Sequence, residues 1–544
     1  MVFMDKSTKE SLDFQYILNN ISPITPYGIM YKSRMDAFTL GKEKELKEEL
    51  DKLESFLPHI ENSEIRREFN NIFAHIKDLR TSIKRTMDGF ILTEVELFEI
   101  KNFLLLLRNL NNLIVSHKIP VYEDTEIIPI ESLEILLDPE NTEISTFYIY
   151  DAYSELLKET RQKRMEADKD IKLHKKNIKE QIKKDLNLDL RPDGSIAISK
   201  DDKDLLKKLE DYPYLSYVSE SYMNIKFSIK PTEKIVELER LVTIFRDKEE
   251  KEEQEIREKL SKEIGKKRKE IFRNMANIGR LDLIIAKSKY SLEIQGIKPE
   301  IIEEHRVKIT DGVHPKVRDF LKDKKLKFTP ISIELQDGVT CITGANMGGK
   351  SISLKLVGLL SAMAQYGLFV PAKSMEIGLN KYIKSSIGDM QSTDSGLSTF
   401  GGEVKIVSEA IARADERGLI LIDELARGTN PEEGYAISKA VVTYLKDRKS
   451  ISLLTTHYDN IANAEDVVHL QVIGLSKINI LDLFEEVHVD EKMDFINKYM
   501  DYRLKPVDNL QGVPRDALNI ATIMGLDKRI LALAESYLDN NKKE

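Results

Sequence analysis

Apolar residues recur every three or four positions between about residues 40 and 300, where glycine and proline are sparse. One such group, in KELKEELDKLESFL, consists of Leu46, Leu50, Leu53 and Leu57. A longer stripe runs from Ile235 to Leu292 and includes Ile256, Leu260, Ile264, Ile271, Met275 and Ile278. This spacing predicts helices. Because Glu and Lys fill the other faces from Ile235 to Leu292, we expect one long, mostly exposed helix there that is stabilised by packing on a partner helix.

The pattern changes twice along the chain. Between about residues 185 and 230, a Pro-Asp-Gly turn and the alternating run YMNIKFSIKP predict a small, partly β insertion. After Pro299, short apolar runs (ISIEL, VTCIT, GLILID and SISLLTT) alternate with helical segments. We therefore predict a helical region at 1–300, an α/β domain at 301–500 and a C-terminal helical element at 501–544.

Composition narrows the class of protein. The 544 residues carry 83 basic and 92 acidic side chains, a net charge of −9, so any contact with nucleic acid has to be local. The single cysteine, Cys341, excludes an internal disulfide and a cysteine-rich metal site, and its strand-like setting predicts a buried, inert thiol. Without a signal sequence or an apolar run of spanning length, we expect a cytoplasmic protein.

The segment GANMGGKS matches the phosphate-binding pattern G-x-x-x-x-G-K-[ST] between a strand-like and a helix-like run. Its glycines would let backbone N–H groups converge on phosphate oxygens, Lys350 would reach the β- and γ-phosphates, and Ser351 would bind Mg²⁺. A chance glycine-rich turn is the alternative. The predicted nucleotide-binding residues are Gly344, Ala345, Asn346, Met347, Gly348, Gly349, Lys350, Ser351 and Ile352.

Two further strands end in polar residues that this chemistry needs. LILIDEL places Asp423 to bind Mg²⁺ and Glu424 to deprotonate the attacking water. SISLLTTHYD supplies His457, which is either a contact of the γ-phosphate or its water, or a satisfied core histidine. An acidic pair at a buried strand end is costly unless a metal or a proton compensates it.

Residues 340–460 resemble the ATPase domain of the MutS family, a branch of the ABC-type ATPases. TGANMGGKS, IGDMQSTDSGLSTFGGE, LIDELARGTNPEEG and TTHYD carry the resemblance. It implies an ATP hydrolase with Mg²⁺ in a homodimer or pseudo-dimer, in which Ser398 of one subunit faces the γ-phosphate held by the other. SPITPYGIMYKSRM, EKIVELERLVTIF and GRLDLIIAKSKYS resemble the family's core and lever helices, and the β insertion stands where its clamp would be.

The first third contains no Phe-x-Glu wedge, so we expect no mismatch reading. The main hypothesis is a dimeric ATPase that reactivates an adenosylcobalamin-dependent lysine 5,6-aminomutase with a second reactivase subunit, as one branch of the family does. The alternative is a MutS-like DNA clamp in repair or recombination, and the third hypothesis is a coiled-coil protein with a degenerate nucleotide site.

The basic segments 161–184 and 265–273 would either bind DNA or form solvated helix faces. Whether the long helices bind an aminomutase, DNA or a ribosome stays open.

Overall fold

The computed structural model describes residues 2–142, 146–344, 349–388, 399–426, 429–474, 501–507, 518, 521 and 526–540. These residues form a mostly helical protein with mixed sheets, as predicted at that level. The chain divides into two compact units. The first contains Met1–Ala74, Ile114–Thr125 and Ile278–Glu544, and the second contains His75–Leu113 and Glu126–Asn277. The predicted domain limits at 300 and 500 stay predictions.

The helices before the first sheet are α1 Lys6–Ser11, α2 Phe14–Asn20, α3 Pro26–Ser33, α4 Glu43–Glu61, α5 Ser63–Ala74, α6 Arg80–Met87, α7 Glu94–Ser116, α8 Glu131–Leu137 and α9 Glu155–Leu186. In α4 the predicted face is buried at Leu46, Leu50 and Leu53, but Phe56 is buried more fully than Leu57. Phe56 is three residues beyond Leu53 and therefore stays centred on the same face.

The long apolar stripe is divided between two helices, α11 Glu233–Lys266 and α12 Arg268–Glu293, rather than lying on one. Its predicted residues from Ile256 to Ile278 are buried. The first helix ends just after Gly265, where a Cβ would lie 3.3 Å from the Thr86 hydroxyl and where glycine also lowers helix propensity. The predicted partner helix of α11 is α9, which packs on it through Ala167, Ile171, Leu238 and Val242.

In the second unit, residues 195–229 form a three-stranded antiparallel sheet in the order β1-β3-β2. Its elements are β1 Ser195–Ser199, α10 Lys203–Glu210, β2 Leu215–Glu220 and β3 Asn224–Ile229. Leu206 and Leu209 of α10 pack with Phe227 of β3 in one apolar cluster, so the segment has a small core of its own.

The C-terminal part of the first unit contains two sheets. Its elements are β4 Glu300–Ile302, β5 Arg306–Gly312, α13 Pro315–Asp323, β6 Ile331–Gln336, β7 Gly338–Thr343, α14 Lys350–Gln365, β8 Ser374–Gly378, β9 Ile383–Ser386, α15 Thr399–Ile411, β10 Leu419–Asp423, α16 Pro431–Leu445, β11 Ile451–Thr455, α17 Asp459–Ala462, β12 Val467–Gly474 and β13 Asp501–Pro506. A further helix spans Lys528–Asn540.

The larger sheet has the order β13-β12-β7-β11-β10-β9, and only β13 is antiparallel to its neighbour. The smaller one has the order β4-β8-β5-β6. Residues of β7, β10 and β11 are buried along their whole length, which explains why these strands read as continuous apolar runs. Among the described helices, none combines the length and the apolar character needed to cross a membrane.

Asp282, near the middle of α12, fixes the start of α3 within the first unit. Its buried carboxylate accepts hydrogen bonds from the backbone N–H groups of Ile24 and Thr25, at 2.9 and 2.7 Å, and from the Thr25 hydroxyl at 2.7 Å. Burial nevertheless raises the pKa of Asp282 above its ordinary value. Gly28 leaves the space that this carboxylate occupies, since a Cβ there would lie 2.2 Å from Oδ2.

We expect Gly28→Ala to lower the free energy of unfolding by about 1–3 kcal/mol, because the added methyl displaces a buried, hydrogen-bonded carboxylate. This value is the net change, after a gain of about 1 kcal/mol from the higher helix propensity of alanine. Urea unfolding measures the difference, with Ile29→Ala, an exposed position of the same helix, as the control. A Gly28→Ala variant as stable as the parent contradicts this account of Asp282.

Candidate functional site

The carboxyl ends of three neighbouring parallel strands form the edge at which the predicted site residues meet. Thr455 of β11 is paired in register with Ile342 of β7 on one side and with Asp423 of β10 on the other. The chain leaves β7 at Thr343 and enters α14 at Lys350. The strand–loop–helix order predicted around GANMGGKS is therefore present, and open α/β sheets bind ligands at this edge.

Two glycines of the predicted loop are required by the backbone. Gly344 has φ +130° and Gly349 has φ +80°, values that favour glycine. A Cβ on Gly349 would also lie 2.9 Å from the Tyr502 ring. The predicted residues Ala345, Asn346, Met347 and Gly348 lie outside the described residues, as does Ser398.

Lys350 is buried at the first position of α14, with 2% of its surface exposed. Its Nζ donates to the Gly344 carbonyl at 2.7 Å and lies 3.1 Å from Glu424 Oε1. His457 Nδ1 is 3.4 Å away from the same nitrogen. The lysine thus bridges the loop after β7 and the acidic end of β10.

Glu424 is held in a left-handed conformation, φ +51°, immediately after the strand. Such backbone costs a non-glycine residue about 1–2 kcal/mol and is found at functional sites. Its N–H donates to the Thr455 hydroxyl at 2.9 Å, and its Oε2 lies 2.8 Å from His457 Nε2. His457 is 43% exposed, so it is not a satisfied core histidine and it faces both the glutamate and solvent.

Asp423 accepts hydrogen bonds on both carboxylate oxygens. Ser351 donates to Oδ2 and Thr455 to Oδ1, both at 2.7 Å. Ser351 and the partly buried Ile352 follow Lys350 in the first turn of α14. A hydroxyl beside a carboxylate offers the oxygen ligands that Mg²⁺ prefers, so the residues present fit the predicted ion.

The expected cost of burying Asp423 and Glu424 is offset by groups of this chain. Lys350, Ser351, His457 and Thr455 satisfy the two carboxylates between them. No cluster of three or more His, Cys, Asp or Glu side chains suited to a metal occurs in the described part of the chain. The fit for Mg²⁺ therefore rests on one carboxylate and one hydroxyl.

Sequence reasoning missed Thr455 and the bond between the Thr343 hydroxyl and His469 Nε2 at 2.7 Å. Thr455 lies in the TTHYD segment, from which only His457 was predicted as a site residue. Its position at the end of an apolar strand was the signal that could have identified it. The contact of His469 depends on the pairing of β7 with β12, two strands distant in sequence. The sequence therefore offered no signal for it.

The prediction of a buried thiol at Cys341 is confirmed, and burial raises the pKa of this thiol to about 12.

Comparison with known proteins gives concordant matches. Residues 340–535 match the family described as MutS domain V. A protein named Endonuclease MutS2 from Caldanaerobacter subterraneus subsp. tengcongensis is 28% identical over 569 residues, covering 98% of this chain and 64% of the relative. The protein of that name from Acetivibrio thermocellus is 31% identical over 407 residues, covering 71% of this chain and 49% of the relative.

The chain thus spans less than two thirds of the length of these relatives. Together the matches support a MutS-family protein, the class that the sequence resemblance indicated. They give no support to the narrower assignment as an aminomutase reactivase, and they favour the DNA-linked alternative. That outcome has a physical reason, because the motifs shared across the family report the nucleotide site and not the partner.

We expect Thr455→Val to lower the free energy of unfolding by about 1–3 kcal/mol, since it leaves the buried Glu424 N–H and an Asp423 oxygen without their shared partner. Thr455→Ser keeps the hydroxyl and should retain most of the stability. Chemical denaturation of both variants measures the difference. A Thr455→Val variant as stable as the parent would contradict the hydrogen-bonding account, because valine keeps the methyl group and lacks only the hydroxyl.

Proposed function

We propose that this chain is an ATP hydrolase of the MutS type that uses ATP binding and hydrolysis to control a contact with DNA, without reading mismatches. The observation that carries the proposal is the meeting of Lys350, Glu424 and His457 at the carboxyl edge of a parallel sheet, beside the Ser351–Asp423 pair. This is the alternative weighed in the sequence analysis, and the names of the relatives, Endonuclease MutS2, concern action on nucleic acid.

In this proposal the loop from Gly344 to Ile352 binds the phosphates of ATP, and Ser351 and Asp423 hold Mg²⁺, whose charge offsets that of the phosphates. Lys350 exchanges its contact with Glu424 for the β- and γ-phosphates. The exchange removes the cation from Glu424 and raises the basicity of that carboxylate when ATP is bound. Nucleotide binding would in this way activate the general base.

Glu424 orients the attacking water and accepts its proton. His457 positions Glu424 through the 2.8 Å contact between Nε2 and Oε2, and its exposed side faces the solvent from which water enters. Thr455 holds both acidic residues at fixed places through its one hydroxyl. Each side chain proposed for hydrolysis is thus restrained by another residue of the same edge.

The relatives' name does not extend the proposal to nuclease chemistry in this chain, because the chain spans less than two thirds of their length. A homodimer or pseudo-dimer with composite sites remains part of the proposal, and it rests on the resemblance around Ser398. Aminomutase reactivation is not carried forward, since the comparisons offer it no support.

We expect Glu424→Gln to bind ATP and to lose hydrolysis by on the order of 10²-fold or more, because Lys350, Ser351 and Asp423 are unchanged whereas the amide cannot take a proton. Calorimetry measures binding and phosphate release measures turnover. Glu465→Gln, the same change at an exposed position between α17 and β12, is the control and should turn over normally. Near-normal turnover by the Glu424 variant would refute its assignment as the base.

The composite site predicts complementation between two inactive variants. Ser398→Arg should bind ATP without hydrolysing it, because the arginine blocks closure on the partner's nucleotide, and Lys350→Ala should lose ATP binding. Random pairing of equal amounts makes about half of the dimers mixed, each with one site free of both changes. Recovery of ATPase activity on mixing supports the dimer. Normal hydrolysis by Ser398→Arg alone would exclude a composite site.

A further inference from the structure

Most of the basic side chains in the two segments considered for DNA binding are paired with acidic side chains in the structure. Arg161 contacts Asp151, Glu249 and Glu253, with its guanidinium nitrogens 2.5–2.9 Å from their carboxylate oxygens. Further basic side chains of these segments have partners as well: Lys163, Arg164, Lys175, Lys176, Lys183, Lys266, Lys267 and Arg273. Some of these pairs connect α9 with α11, and others join residues one turn apart in the chain.

A different segment carries free cations. Lys322, Lys324, Lys325 and Lys327 lie at the end of α13 and in the loop that follows, all exposed and none in an ion pair within the described chain. Asp323 is the one acid among residues 322–327, so the net charge of this segment is +3 in a chain of net charge −9. We call these four lysines with Phe320 the lysine–phenylalanine patch.

Phe320 is an apolar side chain that the fold leaves 57% exposed within this basic surface. The ammonium group of Lys324 lies 4.4 Å from the centroid of its ring. The helix dipole accounts for lysines at the end of α13, but it does not account for an exposed aromatic ring among them. An exposed ring beside cations has the two features of a surface that binds single-stranded nucleic acid.

The patch has a fixed backbone. The helix closes with hydrogen bonds from the N–H groups of Lys324 and Leu326 to the Leu321 carbonyl, at 3.0 and 2.8 Å, and Lys325 takes the left-handed conformation, φ +60°. The other end of α13 is attached within the same unit, where Tyr16 donates to Asp319 at 2.6 Å and Lys316 pairs with Asp13 at 2.5 Å. Asp319, one turn before Lys322, is thereby hydrogen-bonded to Tyr16.

We propose that the lysine–phenylalanine patch binds a single strand of DNA, with the lysines on the phosphates and a base stacked on Phe320. The choice of DNA rests on the proposed function, whereas the preference for a single strand comes from the patch itself. Bases inside a duplex are already stacked, so only an unpaired base can reach the Phe320 ring. The site lies in the same unit as the candidate ATPase residues and uses none of them.

The test measures binding of a fluorescent oligo(dT) of about 20 nucleotides by anisotropy at several salt concentrations, with the full chain. Changing Lys322, Lys324, Lys325 and Lys327 together to Gln should weaken binding and reduce the slope of log K against log salt by about 2–3, since each phosphate contact on a single strand contributes about 0.7. Phe320→Leu should weaken binding by about five- to 100-fold, and Phe320→Tyr should restore it.

The matched control changes Lys169, Lys172, Lys184 and Lys269 to Gln. These lysines belong to the two basic segments, are exposed and have no ion pair in the described chain, so the control alters net charge by the same amount. It should bind oligo(dT) like the parent. Equal weakening in the control and the patch variant would assign binding to overall charge and overturn the proposal.

ATP hydrolysis by the same samples separates this proposal from the previous one. Loss of oligo(dT) binding with unchanged ATPase activity is the expected result for the patch variant. A parent protein that hydrolyses ATP but does not bind oligo(dT), or that binds duplex DNA or RNA of equal length more tightly, refutes the patch and leaves the ATPase proposal standing. An inactive parent that binds oligo(dT) through the patch refutes the ATPase proposal alone.

Discussion

The ion pair between Lys350 and Glu424 is the interaction on which the candidate site depends. Both charges are removed from water, which is costly unless each finds a partner and the remaining hydrogen-bonding capacity is satisfied. The Gly344 carbonyl and His457 supply those further contacts. Breaking the pair without replacing the cation would leave a buried carboxylate uncompensated, so the loop after β7 and the end of β10 are energetically linked.

That pair is possible because the sheet is parallel at its centre. Parallel neighbours bring the carboxyl ends of β7, β10 and β11 to one edge. Thr455, at the end of the middle strand β11, contacts both acidic residues at the end of β10 through its hydroxyl. An antiparallel arrangement would have separated these ends by the length of a strand. Gly344 and Glu424 both have positive φ, which turns the chain sharply at these two residues. The Gly344 carbonyl and the Glu424 side chain both contact Lys350 Nζ.

Many charged side chains in the described residues are paired with opposite charges of the same chain. Arg161 joins α9 to α11 by two carboxylates of α11, and Lys287 pairs with Glu49 at 2.7 Å within the first unit. Such contacts position helices more than they stabilise them, because desolvation offsets most of the attraction. The four exposed lysines at and after the end of α13 that have no ion pair in the described chain lie within six residues, 322–327, whereas those of the two basic segments are spread along 161–184 and 265–273.

The sequence by itself determined the local features: the glycines, Lys350 and Ser351 of the loop, the acidic end of β10, the apolar strands and the helical stripes. Each depends on near neighbours in the chain, through backbone conformation, hydrophobic period or a short motif. Only the tertiary structure decided what depends on contacts between distant residues: the shared hydroxyl of Thr455, the approach of His457 to Glu424, the interruption of the long stripe at Lys267 and the pairing of the basic segments. Composition and period do not encode which distant side chain satisfies a given charge, because that is set by how the strands and helices pack.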